Sequence, residues 1–135
     1  MSVQDQELAQ EWFAKAEHDL AAVDGLLAGA VSLPDIVCFH CHLVGEKYLK
    51  GLLAWHARTV TKIYNLLELL HDCAALDRRF AALNGVALTL NAYAIDTRYP
   101  GMPNSNPSIQ EALTARDAAR EIRRAVRLSL GLPTT

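Results

Sequence analysis

Little in this sequence would build a sheet. β-Branched residues are few beside alanine and leucine, a balance that favours helix. No apolar run approaches the roughly 18 residues of a membrane span. The opening MSVQDQELAQEW is polar and acidic and does not resemble a signal peptide. Only three cysteines are present; without an export signal they predict free thiols in a reducing cytoplasm. Internal repeats and low-complexity segments are also missing. Three of the five prolines fall in one stretch, RYPGMPNSNPS, which must be a loop. What remains is a 135-residue chain, half of it apolar. That suits a single domain, residues 1–135, able to bury a core without disulfides or metal.

The apolar pattern has the helical period. Ala9, Trp12, Phe13, Ala16, Leu20, Val23 and Leu27 form one stripe, which predicts a first helix from Asp5 to about Ala28 with Glu11, Glu17 and His18 pointing away. Ser32 or Asp35 would cap a second helix, with Pro34 at its start, running to about His56. Asn65 or a neighbour opens a third over NLLELLHDCAAL. A turn is expected at Asn84-Gly85, then a fourth helix over 86–96. Ser108 and Glu111 have capping-box spacing for a last helix that ends near Gly131. The expected fold is all-α, an antiparallel up-and-down bundle of four to five helices.

The stretch CFHCHLVGEKYLKGLLAWH, residues 38–56, concentrates metal-ligand residue types. Helix geometry argues against a metal there. His40 and His42 lie about 200° apart at 100° per residue. Cys38, Cys41 and His42 share a face with Gly45, Leu49 and Leu52, but the only other cysteine is Cys73 and no second ligand pair completes a site. The residues read as core thiols and helix-surface histidines, with no metal and no cofactor. Apolar side chains nearly encircle this helix, so it is central in the bundle or shared with a partner. Glu46 and Lys50 interrupt that surface. They form either an intrahelical i,i+4 pair or part of a polar cluster at a dimer seam or ligand groove, with Lys47 beside them.

Charge is uneven. Residues 1–97 carry seven basic and twelve acidic side chains, whereas residues 98–135 carry six arginines against three acids. Arg116, Arg120, Arg123, Arg124 and Arg127 fall within about 100° of the last helix. Such a face either tracks an RNA backbone, meets an acidic partner, or is a solvated surface with i,i+4 pairs such as Glu121–Arg124. Asp19, on the edge of the first helix's stripe, could pair with Arg98, Lys47 or Lys50.

Phe39, Glu46, Lys47 and Lys50 in CFHCHLVGEKYLKGLL resemble the second helix of the HEPN domain family (higher eukaryotes and prokaryotes nucleotide-binding). Trp12, Ala16, Asp19 and Leu20 in WFAKAEHDLAAV are similar to that family's opening, and YAIDTRYPG to its late Arg-Tyr-Pro signature. His42 and Leu43 stand where glutamines are usual, and Tyr64 and Asn65 where the family often has His-Asp. The resemblance implies a helical bundle that commonly dimerises, often beside a small nucleotidyltransferase in a toxin–antitoxin or resistance module. Many relatives are metal-independent ribonucleases that use an arginine and, after four to six residues, a histidine. That motif is absent: no arginine lies five to seven residues before any histidine, and no histidine follows Arg98.

Asp19, Glu46, Lys47, Lys50, Tyr64, Arg98 and Tyr99 are therefore candidate ligand-binding residues, with no catalytic residue assigned. Arg98 sits at a helix–loop junction and suits phosphate, or else satisfies terminal carbonyls of its helix. The expected function is a non-catalytic nucleotide- or RNA-binding module that forms a homodimer or pairs with a nucleotidyltransferase. Two alternatives stand beside it: a ribonuclease with a divergent site, and a helical scaffold or adaptor.

Overall fold

A computed structural model describes residues 1–60 and 65–135. Among them the chain forms five α-helices, α1 Val3–Ala28, α2 Pro34–Trp55, α3 Leu66–Leu76, α4 Asn84–Asn91 and α5 Ile109–Ser129, with short 3-10 segments at Arg78–Leu83 and Asp96–Arg98. No strand occurs among the described residues, and none of their helices is long and apolar enough to cross a membrane. The architecture is the expected all-α bundle.

Its helix ends follow local chemistry. Ser2 and Asp5 form a capping box, so α1 begins before Asp5: the carboxylate serves the cap rather than starting the helix. Ser108 and Glu111 form the box at α5. Asn65 caps α3 by accepting from Leu67 N at 2.9 Å, and Asn91 Oδ1 accepts from Leu66 N at 2.9 Å, which ties the end of α4 to the start of α3. Neither Ser32 nor Asp35 caps α2. Leu33 holds that position without a side-chain bond, and Pro34 at the first helical residue removes one donor that would need it. Asn84-Gly85 is not a turn but the opening of α4, because the 3-10 segment before it passes straight into α-helical backbone. α4 stops at Asn91, short of the expected Asp96; the chain then tightens into turns and the Asp96–Arg98 segment.

α2 is the centre. It packs against α1, α3, α4 and α5, and Val37, Cys41, Val44, Leu49 and Leu52 are fully or almost fully buried. Small residues permit this crowding: a Cβ on Gly45 would lie 3.1 Å from Ile122 of α5 and 3.3 Å from Leu90 of α4. Tyr48, also fully buried, stacks on Phe13 of α1 with ring centroids 5.1 Å apart. The apolar surface read around α2 is thus largely consumed within one chain.

Candidate functional site

Asp19 is the first polar residue to explain. It lies among Phe13, Ala16 and Val23 on the buried face of α1 and is only 8% exposed. Its carboxylate is bound on both oxygens: His40 Nδ1 lies 2.8 Å from Oδ1, and Lys47 Nζ lies 2.6 Å from Oδ2. His40 and Lys47 are two turns apart on α2 and so share a face. A buried carboxylate is tolerated when it is paired and hydrogen-bonded; here α2 supplies both partners. Of the three cations expected as partners, only Lys47 bonds to Asp19. His40 is not simply a helix-surface histidine: it is half-buried and bonded.

A second node lies further along α2. Glu46 Oε2 accepts from Lys50 Nζ at 3.3 Å, and Glu46 Oε1 lies 4.0 Å from His42 Nδ1. Lys50 Nζ also lies 5.7 Å from the centroid of the Trp12 ring. The expected i,i+4 pair exists, but in the interior: Glu46 is 7% and Lys50 5% exposed. His42 is 1% exposed, which corrects its reading as a surface histidine. Trp12 of α1 lies over Lys50, a fact of helix packing that spacing along α2 does not contain.

Arg98 ends the 3-10 segment that docks against α2. Its guanidinium carbon lies 5.3 Å from the Phe39 ring centroid and 5.9 Å from that of Tyr99. Phe39 in turn meets His40 edge-on at 5.8 Å. Thr97 Oγ1 donates to Tyr93 O at 2.8 Å, and Asp96 Oδ2 accepts from Asn104 N and Nδ2, which fixes the loop on both sides of Arg98. Arg98 and Tyr99 are exposed, and among the described residues the Arg98 guanidinium makes no ion pair. The fold therefore links these residues in a chain of contacts, Arg98 to Tyr99 and Phe39, Phe39 to His40, and His40 through Asp19 to Lys47; Glu46, Lys47 and Lys50 follow Phe39 by about 10, 12 and 16 Å along the axis of α2. Tyr64 lies outside the described residues.

The HEPN domain family model matches residues 9–129 of this chain. The chain belongs to the HEPN domain family. Neither the curated proteins nor the solved structures gave a significant match.

The thiols of this HEPN domain are buried and unbridged at Cys38, Cys41 and Cys73. Burial pushes each of them up to about 12, so they remain protonated and inert near neutral pH. Among the described residues, no group of three or more His, Cys, Asp or Glu side chains is placed to hold a metal.

The arginine face of α5 divides. Arg120 pairs with Asp24 at 3.0 Å, and Arg123 with Glu17 at 2.9 Å. Arg127 donates to Tyr48 Oη at 3.3 Å and to the carbonyl of Pro133. Arg116 touches Asp117 at 3.4 Å on the surface, and Arg124 makes no ion pair among the described residues; the Glu121–Arg124 pair does not form. Glu17, expected to point outward, instead bridges α1 to α5 and accepts from Tyr48 Oη at 2.8 Å. Helical spacing shows which arginines share a face but not which of them a neighbouring helix approaches.

Burial raises the Glu17 carboxyl, but hydrogen bonds from Arg123 and Tyr48 outweigh it, and the group is held below its ordinary value. A carboxylate lowered by folding stabilises the protein above its unfolded pKa, and that contribution disappears as pH falls through the folded value. Wild type is thus expected to lose stability as pH falls below about 5 more steeply than Glu17→Gln, read from denaturation midpoints through the acid range. Parallel profiles would show that Glu17 is not coupled to folding.

Proposed function

We propose that this HEPN domain is a non-catalytic module that binds a nucleotide or RNA at the cluster of Arg98, Phe39 and Tyr99, with His40, Lys47 and Asp19 alongside. The observation that carries this reading is the exposed Arg98 guanidinium, laid over Phe39 at 5.3 Å with no carboxylate partner among the described residues. A planar, permanently charged fork beside the exposed Tyr99 ring suits a phosphate with a base next to it. Lys47 and His40 add positive or proton-donating groups, and Asp19 holds both in place. The missing Arg-to-His motif supports binding without cleavage. On this reading the module works in the cytoplasm, as a homodimer or with a small nucleotidyltransferase in a toxin–antitoxin-like system; family membership supports that part.

One observation favours a metal-independent ribonuclease as a second reading. His40 bonds Asp19 through Nδ1, which leaves Nε2 to exchange a proton with a 2′-hydroxyl. Both readings are tested by incubating purified protein with single-stranded RNA in EDTA, beside Arg98→Ala and His40→Gln, and by titrating nucleotides and RNA. The expected result is no cleavage, with affinity roughly tenfold or more weaker in Arg98→Ala, the scale of a lost charge-assisted bond. Cleavage that vanishes in His40→Gln would replace the binding module with a ribonuclease. Unchanged affinity in Arg98→Ala would remove this site.

A further inference from the structure

From Phe80 to Gln110 the chain carries two charged side chains in 31 residues, Asp96 and Arg98, whereas 21% of the whole sequence is charged. This stretch builds α4, the Asp96–Arg98 segment and the loop into α5. Its inner side buries Ala87, Leu90, Tyr93 and Thr97. Its outer side is apolar and open to solvent: Leu88 is 61% and Ile95 53% exposed, with partly exposed Ala92 between them. Beyond α4 the backbone continues on i,i+3 bonds, Tyr93 N to Leu90 O and Arg98 N to Ile95 O, both 3.0 Å. Steps of four residues in α-helix and three in 3-10 backbone keep Leu88, Ala92 and Ile95 on one side. Tyr99, 55% exposed, ends the row. The Asp96–Asn104 bonds fold the loop that carries exposed Met102 back beside it.

An exposed leucine by itself is ordinary, but an outward apolar row without charge is not. Depletion of charge marks the core of protein interfaces. The apolar surface of α2 is spent inside the chain, so the seam expected there is not available. Leu8 on α1 is also exposed, but it stands among Glu7, Glu11 and Lys15. Charge balance selects what covers the row on α4. Asp96 and Arg98 cancel, so RNA or a strongly acidic or basic protein finds no run of opposite charge there. A twofold copy brings the same neutral row against it, and no charge along Leu88–Ala92–Ile95 has to leave water.

We propose that this outer row, Leu88, Ala92 and Ile95 with Tyr99 and Met102 at its end, is the seam on which two copies of this chain meet across a twofold axis. The inference rests on the homodimer of the preceding reading and gives it a surface. The Arg98 guanidinium, engaged with Phe39 of α2, is not required for it.

The test is sedimentation velocity of the full chain from low micromolar to near-millimolar concentration. Wild type is expected to sediment as a dimer that dissociates on dilution. Leu88→Lys/Ile95→Lys should weaken the dimer by about a hundredfold, because each copy then brings cations onto a seam that has no acid to meet them. Leu8→Lys, on the charged face of α1, should leave it unchanged. An equal mixture of the double-lysine chain with Leu88→Glu/Ile95→Glu should restore association, since in any register of the row lysine then meets glutamate. Far-UV circular dichroism establishes that each variant is folded. A wild type that stays monomeric, a dimer that the lysine pair leaves intact, or one that Leu8→Lys disperses equally would overturn the proposal. The outcome is separable from the ligand reading. Arg98-dependent binding of RNA or nucleotide by a monomeric wild type would remove the seam alone, and a dimer through this row without such binding would remove the ligand alone.

Discussion

Asp19→Ala is expected to lower stability by about 3 kcal/mol, the scale of breaking a buried ion pair by removing one partner. The carboxylate is 8% exposed and satisfies two groups at once, His40 at 2.8 Å and Lys47 at 2.6 Å. Removing it strands a lysine whose side chain is 24% exposed against the apolar seam of α1 and α2, and leaves a small cavity. For a chain of this length the midpoint temperature should fall by roughly 10 °C. Replacing Lys47 with methionine in the same molecule removes the uncompensated charge while retaining the packing of its stem. The double variant Asp19→Ala/Lys47→Met is therefore expected to recover about half of the loss. Denaturant titrations of the two single variants and the double variant measure the coupling. A loss below about 0.5 kcal/mol in Asp19→Ala, the range of an ordinary surface substitution, would mean that the pair contributes nothing to the fold.

Gly51→Val should cost about 3 kcal/mol, at the upper end of what overpacking usually costs. A Cβ at Gly51 would sit 2.3 Å from Phe13 Cε1, 2.7 Å from Phe13 Cδ1 and 3.1 Å from Trp12 Cβ. Phe13 cannot step aside cheaply, because it is 2% exposed and stacked on Tyr48 at an interplanar angle of 18°. The alternative is to part α1 from α2, and that strains the Asp19–Lys47 contact too. Glycine in mid-helix costs about 1 kcal/mol relative to alanine, so propensity alone predicts that Gly51→Ala stabilises the protein. The packing predicts a net loss of about 1 to 2 kcal/mol instead. A measured gain would show that the helices separate freely at this point. Gly51→Ala made together with Phe13→Leu should cost less than the sum of the two single changes, since the smaller side chain removes the collision.

The legible part of the site was a list of residues; the illegible part was its wiring. Phe39, Glu46, Lys47 and Lys50 in α2 and Arg98-Tyr99 in the loop were marked by their resemblance to one family. Asp19 was visible as an acid on the edge of an apolar stripe. Its bond to His40 was not foreseen, although a signal existed: His40 and Lys47 lie two turns apart, so any group held by one is within reach of the other. Arginines on α5 share a sector by helix geometry. The acids that meet them, Asp24 and Glu17, belong to α1 and are nearly a hundred residues or more away in sequence. The Pro133 carbonyl that Arg127 meets had no sequence signal at all, because any residue supplies a carbonyl.

The sequence alone determined the helical class, the capping box at α5 through its Ser-x-x-Glu spacing, the loop between Arg98 and Ser108, and the apolar surface nearly all round α2. Each of these rests on interactions within a turn or two of helix, or on proline's missing donor, and such local terms are written directly in residue order. Only the tertiary structure decided which cation Asp19 holds, that Glu46 and Lys50 pair in the interior instead of at the rim, that Arg98 lies over Phe39, and which arginines of α5 are already engaged. Those outcomes depend on the rotation and register of one helix against another. Many weak side-chain contacts set that arrangement together, and no single stretch of sequence carries it.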